Sequence, residues 1–298
     1  MTTVNDFSND LVAAVERGGA GTVLVDARNR YPASGIAYAA DLILTADHVI
    51  TRDENLHIAT ADNKSFPVTI AGRDPNSDLA LLRLSEKALT PAKIAEAASK
   101  VGQLVLALGR PSNDGVQASW GIITAIGGPA RMGHRGLLEE YIQTETTSYP
   151  GFSGGPLVNT NGEVLGLNTS GLARGMALTI PIKFAWRIAD ALAKHGTVKR
   201  GYLGVRTQSV DISDSARQAL KREQQHGLLV IWLEDKGPAE KGNVLIGDII
   251  VAISGQAVGD PDDLFAALNS DVVGKTIAVE ILRGGKPETI QVMVGERK

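Results

Sequence analysis

The chain contains no cysteine, which excludes disulfides, thiolate catalysis, zinc knuckles and iron–sulfur ligation. Aromatic residues make up only 4% of it, too few for a base-stacking platform. Basic residues do not exceed acidic ones, and the net charge of −3 argues against nucleic acid as a partner. No run approaches the ~18 apolar residues of a membrane span. The N-terminal MTTVNDFSNDLV lacks the basic and apolar regions of a signal peptide. The expectation is a cytoplasmic chain as it stands, or a periplasmic one if an export signal has been removed. His48, His57, His134, His195 and His226 are scattered without HExxH-type spacing, so neither a metal nor another cofactor is expected.

What is present is an ordinary globular composition, 43% hydrophobic and 21% charged, over 298 residues, enough for two domains. SNDLVAAVERG, 8–18, reads as a helix capped by Ser8 or Asn9 and stopped by Gly18. A dozen short runs rich in Val, Ile, Leu and Thr follow before residue 181, from GTVLVDA to MALTIP, as an all-β barrel or sandwich requires. The period then changes. Ile182, Ala185, Trp186, Ala189 and Leu192 share a helical face that Gly196 ends. TVKRG, 197–201, reads as a linker to a second unit of strands and helices. In it Asp260 and Pro261 open a helix to Asn269, and Arg-Gly-Gly-Lys, 283–286, is a hairpin turn.

The stretch TETTSYPGFSGGPLVN places Ser153 on a tight loop in front of a short apolar strand. Such a serine is most often a turn residue. It is a nucleophile only if the chain also supplies a base and a group to orient that base. His48 follows the apolar segment ILTA, and Asp78 opens the buried segment LALLRL, where an unpaired carboxylate would be costly. The order His48, Asp78, Ser153 is that of chymotrypsin-like enzymes. GFSGG also fits the α/β-hydrolase elbow, but that elbow needs a helix after the serine and a histidine downstream. Here a strand, an Asn-Gly turn and a second strand follow instead.

TADHV, DLALL and PGFSGGPLVN, ahead of RGYLGV and GPAEKGNVLIGDIIVAISGQAV, resemble the HtrA/Deg family of trypsin-like serine proteases with one PDZ domain. The resemblance implies a mainly β fold: a chymotrypsin-like double β-barrel over 1–198 and an α+β PDZ domain over 199–298. It implies His48 as general base, Asp78 as its orienting carboxylate and Ser153 as nucleophile, with the backbone N–H groups of Gly151 and Ser153 as oxyanion hole. It also implies ATP-independent cleavage of unfolded or damaged proteins, a homotrimer built through N-terminal segments, and a PDZ domain that binds protein C-termini and regulates cleavage. Phe7 and Tyr31 are candidate trimer contacts. For the peptide groove the candidates are Tyr202, Leu203, Gly204, Val205, Leu264 and Leu268, and Arg131 or Arg135 in the loop 127–138 would relay the signal.

The family usually has asparagine where this chain has Phe152, which leaves the backbone donors in place but changes how the loop packs. Thr147, six residues before the nucleophile, is uncharged and predicts a pocket for small aliphatic residues, with Asn168, Thr169 and Ser170 as its opposite wall. Tyr149 and Leu172 are further candidates there. Asp47 reads as incidental, its side chain turned away by alternation in an extended segment. The competing reading is a catalytically silent PDZ scaffold, favoured only by Phe152.

Overall fold

The computed structural model of the chain describes residues 3–29, 31–128, 130–132, 136–172 and 176–296, which divide into two compact units, Met1–Val198 and Lys199–Lys298. The first unit opens with helix α1 (Val4–Ala20), which is longer than its sequence signals suggest. The true cap is Thr3, whose side chain accepts from Asp6 N–H while the Asp6 carboxylate accepts from Thr3 N–H. Gly18 does not stop the helix. A Cβ there would lie 2.8 Å from Leu108 and 3.0 Å from Val158, so this glycine serves close packing on the barrel behind it.

Six strands, β1 (Thr22–Asp26), β2 (Ala33–Ala39), β3 (Leu42–Ala46), β4 (Leu56–Ala59), β5 (Ser65–Asp74) and β6 (Leu79–Leu84), close in the order β1-β2-β3-β6-β5-β4. Closure removes both sheet edges, which strands this apolar would otherwise expose. All five residues of β3 are buried, and β6 turns only Arg83 outward.

The second barrel is built from β7 (Leu104–Ser112), β8 (Gly115–Gly127), β11 (Tyr141–Thr144), β12 (Pro156–Val158), β13 (Val164–Thr169) and β14 (Ala177–Pro181). It closes as β11-β14-β13-β12-β7-β8. Two short strands, β9 (Ala130–Met132) and β10 (Gly136–Leu138), form a ribbon of their own. The expected relay residue Arg135 and the side chain of Arg131 lie outside the described residues. Helix α2 (Ile182–His195) buries Ile182, Phe184, Ala185, Ile188, Ala189 and Leu192, and ends at Gly196, φ +71°. The two six-stranded barrels and the helix after them are as the sequence and its resemblance implied.

The second unit holds a six-stranded antiparallel sheet whose main path runs β16-β17-β18-β20-β21: Val205–Asp211, His226–Leu233, Ile249–Ile253, Thr276–Arg283 and Lys286–Met293. The short strand β19 (Gln256–Ala257) pairs with β18, and β15 (Gly201–Tyr202) pairs with β22 (Gly295–Glu296). Helices α3 (Asp214–Leu220), α4 (Pro238–Lys241) and α5 (Pro261–Ala267) complete it. Asp260 caps α5 through bonds from Asp262 N–H and Asp263 N–H, and the helix stops at Ala267, two residues short of expectation. Gly284 and Gly285, at φ +57° and +80°, make the β20–β21 hairpin turn. No helix among the described residues is long and apolar enough to cross a membrane.

Candidate active site

His48 lies in a 3-10 turn, Asp47–Val49, directly after β3 rather than at the end of an extended segment. That turn corrects the reading of Asp47. Its side chain is buried and accepts from Arg73 Nε at 2.5 Å, while the same guanidinium bonds the carbonyls of Asp47 and Ile50. Asp47 is therefore half of a clamp between β5 and the turn that carries His48. Burial alone lowers a guanidinium's affinity for its proton, but here the Asp47 bond outweighs it and holds the Arg73 pKa above its ordinary value.

Asp78 sits immediately before β6 at φ +55°, and is 3% exposed. Its carboxylate accepts from the backbone N–H of His48 at 2.9 Å and lies 2.8 Å and 3.0 Å from His48 Nδ1. The hydroxyl of Thr169, at the end of β13, donates to the other face of the same carboxylate. Three groups, the His48 N–H, the His48 ring nitrogen and the Thr169 hydroxyl, thus fix Asp78 and the imidazole as one unit, with His48 Nδ1–H as donor and Nε2 left free to accept a proton. Gly171 completes the packing: a Cβ there would lie 2.5 Å from His48 Nδ1.

Ser153 follows a turn, Tyr149-Pro150-Gly151-Phe152, closed by Phe152 N–H to Tyr149 C=O at 3.0 Å. Proline second and glycine third at φ +92° make it a type II turn, which requires the glycine. Ser34, fully buried on β2, holds this loop. Its hydroxyl donates to Gly151 C=O at 2.7 Å, its N–H donates to Ser153 C=O at 3.1 Å, and its Oγ accepts from Arg110 N–H at 2.8 Å. With those carbonyls drawn back, the N–H groups of Gly151 and Ser153 donate no hydrogen bond among the described residues. Gly154 at φ +86° packs so closely that a Cβ would come within 2.1 Å of Ser34 O. Two positions that no sequence pattern singled out, Ser34 on β2 and Gly171 after β13, therefore shape the site. The only sequence hint was a serine inside the apolar run ASGIAY.

The Phe152 ring points inward, 1% exposed, among Val105, Ala107, Ile123, Ile142 and Leu157, with Tyr149 edge-on at 5.4 Å. It anchors the loop by apolar burial where a polar residue could not. The Ser153 hydroxyl is turned toward Ser170, with Oγ···Oγ 3.0 Å and Ser170 N–H to Ser153 Oγ at 3.3 Å, and no bond joins it to His48.

A cavity of about 310 Å³ opens beside Ser153, with Ser170, Arg28 and Tyr31 among its lining residues. Thr147 is not among its lining residues; its N–H is bound to Ser119 Oγ at 2.7 Å. Asn168 lines the cavity but does not present its side chain, which donates to Pro156 C=O and accepts from Thr179. Its backbone is committed as well, to Gly154 and Gly155. Thr169 pairs with Leu178 in the β13–β14 ladder. Backbone pairing of a substrate strand with Asn168 is thus closed off, and of the trio Asn168, Thr169 and Ser170 only Ser170 is exposed. Tyr149 lines the cavity, whereas Leu172 is a core residue.

In the second unit, Tyr202 pairs in β15 and donates its hydroxyl to Glu234 at 2.7 Å. Gly204 is at φ +75°, and the carbonyls of Leu203 and Gly204 accept from Ala239 N–H and Glu234 N–H. Leu203, Leu264 and Leu268 are buried in the apolar core of this unit. Val205 is half-buried, opposite Leu233, on the edge strand β16.

A double barrel with an Asp-His pair facing a serine on a glycine-rich turn defines the trypsin-like serine peptidase class, here followed by a PDZ domain. Residues 33–167 match the trypsin-like peptidase domain and residues 201–294 the PDZ domain. The probable periplasmic serine endoprotease DegP-like of Pseudomonas fluorescens is 34% identical over 273 residues, covering 88% of this chain and 56% of that protein. The protein of the same description from Rhizobium meliloti is 34% identical over 278 residues, covering 90% and 54%. The chain thus spans about half the length of the curated relatives it matches. Among solved structures, the HtrA-type protease AlgW with tripeptide superposes with a TM-score of 0.83 at 28% identity, over 97% of each chain. The serine endoprotease from Yersinia pestis superposes with a TM-score of 0.75 at 28% identity, over 97% of this chain and 98% of that one. This chain belongs to the HtrA/Deg family.

Proposed function

We propose that the chain is a serine endopeptidase acting on unfolded or damaged polypeptides, with His48, Asp78 and Ser153 as its triad. The observation that carries this is the His48–Asp78 pair, bonded twice at the ring nitrogen and once at the backbone, beside a serine whose turn leaves two N–H donors free. His48 Nε2 takes the proton of Ser153 as its oxygen attacks a carbonyl carbon. Asp78 stabilises the imidazolium that forms, and Gly151 N–H and Ser153 N–H receive the oxyanion. The step requires a rotation of the Ser153 hydroxyl from Ser170 toward His48, which a bound substrate induces.

The neutral lining beside Ser170 supports cleavage after small aliphatic residues. The PDZ domain takes peptide C-termini at Tyr202–Val205 and the free edge of β16, a mode supported by Gly204's left-handed backbone and by the edge position of β16; peptide binding itself is supported by the AlgW structures with tripeptide and decapeptide. The periplasmic designation of the relatives supports work in the periplasm, and exposed Val4, Phe7 and Val12 on α1 support a homotrimer built through that helix. The deciding experiment is digestion of casein by the parent and by Ser153→Ala. Loss of the nucleophile lowers kcat by about 10⁶. Equal digestion by both proteins refutes the assignment, and peptide binding by a parent without any digestion returns the silent-scaffold reading.

A further inference from the structure

Arg28 stands in the loop between β1 and β2 and lines the cavity that holds Ser153. Its Nε–H donates to Tyr31 C=O and its Nη2–H to Pro32 C=O at 3.1 Å, two bonds that hold the guanidinium in place without neutralising it. No carboxylate among the described residues pairs with it. Asp26, two residues earlier at the end of β1, is engaged with Arg52 at 2.8 Å. Partial burial pushes the Arg28 pKa down, as expected of a cation removed from water with no counter-charge. It is also the only charged side chain among the described residues lining the cavity.

A guanidinium carries five N–H donors in a planar fork, and two of them satisfy Tyr31 and Pro32. The remaining donors have no partner among the described residues. A half-desolvated cation of this kind is costly in the empty site and gains most from an anion that completes its hydrogen bonds. The cavity that holds it also contains Ser153, and its volume fits one or two side chains.

We infer that Arg28 is a specificity-determining residue that recruits an acidic side chain of the substrate within two residues of the scissile bond. This rests on the proteolytic reading for its setting, though not for its test. Tyr31, whose carbonyl accepts from Arg28, lines the same cavity.

The test is a peptide series in which glutamate, glutamine or lysine is scanned through the two positions on either side of a Val–Ala bond. The parent cuts the best-placed glutamate peptide with kcat/KM about tenfold above glutamine and further above lysine, a gap that shrinks in high salt. Arg28→Gln abolishes the glutamate preference while cutting the glutamine peptide as the parent does. Arg28→Lys retains part of it, and Arg28→Glu reverses it toward lysine. Binding of the same peptides to Ser153→Ala, read by fluorescence anisotropy, reports recognition without turnover. Equal rates and equal affinities for all three peptides overturn the inference while leaving the peptidase standing. Charge-dependent binding that Arg28→Gln removes, in a protein that cuts nothing, upholds the inference and removes the peptidase.

Discussion

Gly171→Ala should disable the site while leaving the fold almost untouched. A methyl group at this position would lie 2.5 Å from His48 Nδ1 and 2.8 Å from Asp78 Oδ2, where ordinary contact begins at 3.4 Å. The backbone raises no objection, because Gly171 is not among the glycines in the left-handed region. The whole cost therefore falls on the two side chains. Asp78 is held by His48 N–H and by Thr169, so the imidazole is the group that yields. Moving the ring by the missing distance stretches a 2.8 Å bond to roughly 3.7 Å, beyond hydrogen-bonding range. The imidazole then loses its orienting partner and faces Ser153 from the wrong place. A misplacement of this size and the loss of the orienting carboxylate together lower kcat by between about 10² and 10⁴. Overpacking at one site costs about 1–3 kcal/mol of stability, which leaves the protein folded at 25 °C. The assay is a reporter peptide followed to saturation, with thermal melting in parallel. The expected result is a collapsed kcat with KM nearly unchanged and a Tm lowered by a few degrees. A kcat within about threefold of the parent's would show that the ring accommodates the methyl group and that the dyad is looser than its bonds indicate.

Three further outcomes follow from other parts of the chain. Tyr38 packs edge-on against Trp186 at 5.0 Å and donates its hydroxyl to Asp190, and burial followed by that bond pushes its pKa from 10 to about 12. Its contribution is complete below pH 10 and is lost as pH rises through about 12, so alkaline melting should fall across that window and Tyr38→Phe should flatten the fall. Sedimentation at micromolar concentration should give about three times the 31.4 kDa chain mass, and a monomer would remove the trimer. A peptide ending in an aliphatic residue with a free carboxylate should bind the PDZ domain at least ~10-fold more tightly than its C-terminal amide, and equal affinities would rule out the Tyr202–Val205 loop as its receptor.

Much of this protein could be read from local pattern. Strands as apolar as LILTA and LALLRL, each ended by turn residues, can only be buried, and a dozen of them require closed or stacked sheets. The order of His48, Asp78 and Ser153 is likewise a property of the linear chain, as are the cap at Asp260 and the Gly-Gly hairpin. These signals survive because backbone conformation and side-chain burial period are decided by near neighbours.

What only the tertiary structure decided depends on contacts between distant segments. Ser34 and Gly151 are 117 residues apart, and Thr169 and Asp78 are 91 apart, so no periodicity could announce either bond. The same holds for Gly18, read locally as a helix stop but placed against Leu108 and Val158 in the second barrel. Phe152 could be read as a departure from pattern, yet its meaning came from the apolar space left by five strand residues of that barrel. Asn168 and Thr169 were placed beside the substrate by their position in the chain, but their polar groups were claimed by Pro156, Thr179 and Asp78 across the fold. A hydrogen-bonding group is available to a ligand only when the protein has left it unsatisfied, and that is settled by every segment packed around it.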